Sequence, residues 1–124
     1  MAIISLFSGS FCQAEEIVRG VAERTGYAHI FDDEIVRTAS EASGVASDKL
    51  ARPLSAKASV FNSFTGERER STAILRCAVA QRLLEEGLIV DGYCSQLIPR
   101  SISHVLRVCL IADMAARIDR AVSS

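Results

Sequence analysis

The sequence predicts an α/β domain in three layers, with helices on both faces of a parallel sheet of about four strands. Three observations predict it. Apolar runs of strand length recur at Ala2-Ile3-Ile4-Ser5-Leu6-Phe7, at Tyr27-Ala28-His29-Ile30-Phe31, at Leu88-Ile89-Val90 and from Val105 to Ile111. Segments with apolar residues at helical spacing alternate with them. Glycines punctuate the ends of those segments, at Gly26, Gly44 and Gly87. Strands that alternate with helices of ten or more residues imply parallel pairing with right-handed crossovers.

The 124 residues suit a single domain, and 49% hydrophobic with 23% charged residues excludes a disordered chain. A net charge of -1 gives no broad basic face for a nucleic-acid duplex. No apolar run approaches the roughly 18 residues of a membrane span, and the start of the chain lacks the basic residues of a signal peptide. A cytoplasmic location with no membrane and no nucleic-acid partner is the expectation. Cys12, Cys77, Cys94 and Cys109 are widely spaced without a C-x-x-C pair, which points to free thiols rather than a disulfide framework or a metal site. Cys12 falls at a helix N-terminus, where a thiol pKa can be lowered, so a redox-responsive role rests on that one residue.

Taken in order, the first strand meets the small residues Ser8-Gly9-Ser10 and then a helix from Gln13 to Thr25, with Ile17, Val18, Val21 and Ala22 on one stripe. A turn between a strand and a helix N-terminus can hold an anion, most often a phosphate. Glu15 and Glu16 in the first turn suit the helix dipole but repel such a phosphate. After the second strand, Asp32-Asp33 supplies an N-cap for a helix running to about Ser43. His29 and His104 are lone histidines with no partner in sequence, and both read as structural or surface residues.

The pattern weakens from Val45 to Gly66, where Pro53 and the scattered Val60, Phe61 and Phe64 indicate short helical turns, loops or a flap over a site. Glu67 to Glu86 is a long helix carrying Ile74, Leu75, Ala78, Val79, Leu83 and Leu84 on one side. The third strand stops at Asp91-Gly92-Tyr93, and the last helix spans Ala112 to Val122 with Arg117 and Arg120 on adjacent turns. In an open parallel sheet ligands sit beyond the carboxyl ends of the strands, so Ser8 to Gln13, Asp32-Asp33 and Asp91 to Ser95 line the candidate site. Asp91 either positions magnesium and its waters or merely forms an Asp-Gly turn.

These features resemble the P-loop nucleoside monophosphate kinases, and in particular the cytidylate kinase-like family. The resemblance rests on Ile3-Ile4-Ser5-Leu6, Gly26-Tyr27, Asp32-Asp33-Glu34-Ile35-Val36, Leu88 to Tyr93 and Ala112 to Arg120. It implies a P-loop kinase-like fold that stops before the lid and last strand, either as a domain cut from a longer protein or because the lid is lost. It also implies magnesium near Asp91, an ATP donor cradled by Ser8, Gly9, Ser10, Phe11, Cys12 and Gln13, and an acceptor facing Asp32, Asp33 and Tyr93. Arg117 and Arg120 would begin the lid over the phosphates.

Three departures weigh against catalysis. Aligned without gaps, the family's Gly-Ser-Gly-Gly run falls on Phe11-Cys12-Gln13-Ala14, and no lysine is near. Tyr93 stands where the family has an arginine for the acceptor phosphate. The third is the early stop. Each removes electrostatic stabilisation, on which phosphoryl transfer depends. The first expectation is therefore a degenerate, non-catalytic module that senses a ligand or contacts a partner; the alternative is an active kinase moving phosphoryl from ATP to CMP or a similar nucleotide. A sheet of four strands also leaves an edge for a second subunit or a neighbouring domain.

Overall fold

The computed structural model describes residues 2–54 and 66–124. Strands β1 (Ile3–Ser8), β2 (Ala28–Ile30), β3 (Leu88–Asp91) and β4 (Val105–Leu110) form one parallel sheet in the order β2-β3-β1-β4. Five α-helices accompany them among the described residues: α1 (Ala14–Thr25), α2 (Asp32–Ser43), α3 (Ser47–Ala51), α4 (Glu67–Arg82) and α5 (Met114–Ser123). The expected three-layer α/β/α arrangement is the one observed.

The strand period of two divides the core. Ile3, Ile30, Leu88 and Val90 meet Ile35, Leu50, Leu75 and Val79 from α2, α3 and α4. The alternate residues Leu6 and Ile89 meet Val18 of α1 on the opposite face. Every residue of β3 is buried, as expected of a strand covered on both faces. β2 and β4 form the two edges, and no strand pairs with the outer side of either among the described residues. No helix among the described residues is long and apolar enough to cross a membrane.

Gly26 and Gly44 close α1 and α2 as expected, each N–H returning 2.9 Å to the carbonyl four residues back. Other boundaries differ. Phe31, not Asp32 or Asp33, is the N-cap of α2, and both aspartates lie in its first turn. Among the described residues Asp33 accepts only the neighbouring Glu34 N–H (2.9 Å), while the Asp32 carboxylate is drawn away to the end of β3. α4 stops at Arg82 rather than Glu86, because two tight turns, Leu84 N–H to Gln81 O and Glu85 N–H to Arg82 O, redirect the chain into β3. Leu84 therefore leaves the apolar side expected of it and is 87% exposed.

Within the weakly patterned stretch, α3 and a 3₁₀ turn at Arg52–Leu54 bury Leu50 and Leu54 in the main core, so this part is no flap. Val60, Phe61 and Phe64 lie outside the described residues. α5 begins at Met114 with Asp113 as a true N-cap, its Oδ1 accepting the Ala116 N–H at 2.8 Å.

This packing assigns different weights to two residues of similar hydrophobicity. Ile89→Ala opens a cavity at a fully buried site and should lower stability by about 2–5 kcal/mol in urea unfolding. Leu84→Ala should change it by less than about 0.5 kcal/mol. Equal losses would contradict the observed end of α4.

Candidate functional site

A cleft of about 750 Å³ opens beyond the carboxyl ends of β1 and β3. Ser8, Gly9, Ser10, Phe11, Cys12, Gln13, Asp32, Asp91, Tyr93 and Arg120 all line it, together with Phe7, Glu15, Glu16 and Phe31, which the sequence did not single out as cleft residues. Asp33 is not among them. It borders a separate groove with Val36, Arg37 and Asp48.

The floor is built where α2 meets β3. Asp32 accepts two backbone N–H groups, from Tyr93 (3.2 Å, Oδ2) and Cys94 (2.8 Å, Oδ1). Gly92 makes room for this carboxylate. Its φ is +99°, and an added Cβ would lie 2.8 Å from Asp32 Oδ1 and 2.9 Å from the Phe31 ring. Both the turn and the carboxylate that the sequence offers at Asp91-Gly92 are thus present: the glycine serves the turn, and Asp91 points elsewhere.

Asp91 turns to the α1 face of the sheet and meets His29, with Nε2 3.0 Å from Oδ2. His29 therefore has a partner, contrary to the reading of a lone histidine. The pairing follows from register: Ile30 lies beside Val90, so His29 and Asp91 sit one step either side on the same face. Asp91 is only 8% exposed. Burial raises its carboxyl above the ordinary value, while the hydrogen bond and charge of His29 pull it down and Asp32 adds to the rise. Burial, with Asp32 and Asp91 beside it, also pushes the Cys94 thiol far up, so that it stays protonated and donates to the Asp91 carbonyl at 3.3 Å.

The roof is the loop between β1 and α1. Phe11 and Gln13 both have φ of +59°, a left-handed conformation that costs a residue with a side chain about 1–2 kcal/mol. They occupy two of the positions where the gap-free alignment places glycines. The loop thus keeps a glycine-like path without its glycines. Two arginines of α5 hold it there: Arg117 Nε donates to Ser10 O (2.9 Å) and Arg120 Nη1 to Phe11 O (3.1 Å). Cys12 lies beneath, largely buried at the cleft wall, its Sγ donating to Ser10 O at 3.6 Å.

The donor set does not fit the magnesium and phosphates that the resemblance implies. Asp91 is engaged by His29, the loop carries no lysine, and Glu15 and Glu16 flank the first turn of α1.

A pH dependence follows from Asp91. A carboxyl whose pKa rises on folding binds its proton more tightly in the folded state, so its contribution favours folding at acid pH and is lost as pH climbs through the folded value. Asp91→Asn removes that loss. Thermal unfolding should show the variant more stable than wild type at pH 7, with the difference vanishing below the ordinary value of 3.8; a variant less stable at pH 7 would mean that the ionised Asp91–His29 pair outweighs burial.

Comparison with known proteins agrees with this geometry in one respect and is silent in another. Curated proteins give no match to the chain. The model of the cytidylate kinase-like family matches residues 3–124, which span β1, the loop, the cleft floor and the arginine-bearing α5. The chain therefore belongs to the cytidylate kinase-like family.

Proposed function

We propose that this domain is a non-catalytic, ligand-sensing regulatory member of its family, which keeps the kinase cleft without phosphoryl transfer. The observation that carries the reading is the engagement of Arg117 and Arg120 with the carbonyls of Ser10 and Phe11. In the kinase reading these guanidinium groups reach over the donor's phosphates. Here they neutralise backbone oxygen dipoles of the very loop that should present its N–H groups to those phosphates.

A kinase-like family brings the expectation of magnesium and ATP, and phosphoryl transfer is catalysed almost entirely by positioning and by countering charge. Asp91 held by His29, Tyr93 in place of an arginine and the two glutamates at the start of α1 all run against that requirement. The buried core and the cleft do not depend on it. Retaining a folded cavity while losing the charge complement is what a binding role needs and what a transferase cannot use.

The test is a phosphorus NMR time course of the purified chain with ATP, magnesium and CMP. The expected result is no diphosphate product above the enzyme-free rate. Product formation that disappears in Asp91→Ala would overturn the proposal in favour of an active nucleoside monophosphate kinase.

A further inference from the structure

We propose that α5 carries the contact of a weak, reversible homodimer, in which two copies of this helix pack antiparallel about a twofold axis at Ile118. Such a dimer forms whether or not the cleft is catalytic.

α5 is amphipathic in the reverse sense. A helix on a globular domain normally turns its apolar stripe to the core and its charges to water. α1 does so with Val18, and α2 with Ile35, Val36 and Ala39. α5 buries no residue. It shields only Ala116, Arg117 and Arg120 in part, and the two arginines are turned to the carbonyls of Ser10 and Phe11. Its apolar side chains face outwards. Met114, Ile118 and Val122, one per turn, are 63%, 53% and 81% exposed, and Ala115 and Ala121 are exposed beside them. A contiguous apolar patch of this kind marks an interaction surface.

The symmetry of the stripe selects a second copy of the chain as its occupant. Ala116 and Arg120 lie two residues either side of Ile118, across the helix from it, and Arg117 lies about 100° round, so the hold on the loop leaves the stripe free. From Ile118 the pattern reads alike in both directions, with a large residue outside an alanine at Met114-Ala115 and again at Ala121-Val122. A twofold contact requires this, because one patch must complement itself. Reversing one helix about Ile118 sets Met114 beside the partner subunit's Ala121 and Val122 beside the partner subunit's Ala115. Large then meets small, and the axes can approach closely. An unrelated partner would place no such demand on the sequence.

Area sets the strength. α5 has ten residues, so it is about 15 Å long and, with its side chains, about 10 Å wide. Two such helices in contact along their length bury less than the roughly 1,200 Å² at which stable interfaces begin. The exposed Asp119 flanks the stripe and comes beside its own copy, so no ion pair there assists the apolar contact. The dimer is therefore transient, with a dissociation constant in the micromolar range.

The experiment is sedimentation velocity of the full chain from low micromolar to near-millimolar concentration. The mass should rise from one chain towards two, and molar NaCl should preserve the dimer, since its core is apolar and the Asp119 flank is repulsive. Ile118→Glu should weaken association by at least about tenfold, because it sets two carboxylates on the axis. Leu84→Glu should leave it unchanged, since Leu84 is exposed at the opposite end of the parallel sheet, before β3 rather than after β4. Met114→Lys and Ala121→Glu should each weaken the dimer alone and restore it together, as the lysine of one copy then faces the glutamate of the other. Circular dichroism checks that each variant folds.

A one-chain mass at every concentration would overturn the proposal. So would a dimer that survives Ile118→Glu, which would place the contact elsewhere, or one that molar salt dissociates. A lysine–glutamate pair that fails to restore association would overturn the antiparallel arrangement.

Discussion

The carboxylate of Asp32 takes the N–H groups of Tyr93 and Cys94, and much of the cleft follows from that junction. It ties the start of α2, and with it one helical layer, to the end of a strand buried on both faces. Charged hydrogen bonds of this kind are each worth about 1.5–3 kcal/mol. They also demand an empty position at Gly92, because any side chain there would meet the carboxylate and the Phe31 ring. Phe31 and Tyr93 are thereby placed on the same cavity. One short bridge thus sets the floor of the site, the path of the chain and the positions of two of its aromatic walls.

Opposite that floor, the loop from Gly9 to Gln13 is governed by backbone strain and by a restraint that compensates it. Phe11 and Gln13 adopt a conformation better suited to glycine. Two arginines a turn apart on α5 donate to the carbonyls of Ser10 and Phe11 and hold the loop in place. In a family whose fold is organised around anchoring phosphates, this chain satisfies its guanidinium groups with its own backbone.

Much of the fold was legible because it follows from local signals. Apolar runs bounded by glycine gave four strands, and the period of two separates Ile3, Leu88 and Val90 from Leu6 and Ile89 without reference to contacts. The strand end at Asp91-Gly92 was legible for the same reason. What escaped depends on long-range pairing. His29 finds Asp91 only because β2 lies beside β3, which needs the strand order. Asp32 reads as a cap locally, and its true partners lie 61 and 62 residues away. Arg117 and Arg120 invite a phosphate reading until their carbonyl partners, more than a hundred residues earlier, are placed beside them. The end of α4 was missed because Leu84, Glu85 and Glu86 are good helix formers, while entry into β3 requires the turn to come sooner.

The hold of Arg117 and Arg120 on the loop is most simply challenged by measuring the thermal unfolding midpoint of the full chain with and without millimolar ATP and magnesium. A ligand at a hundred times its dissociation constant adds about 2.7 kcal/mol to the folded state, and in a domain of this size that raises the midpoint by several degrees. An unchanged midpoint is the result that the arginine–carbonyl contacts require. A rise of several degrees would show that the loop still receives a triphosphate, and that the arginines release their carbonyls to do so.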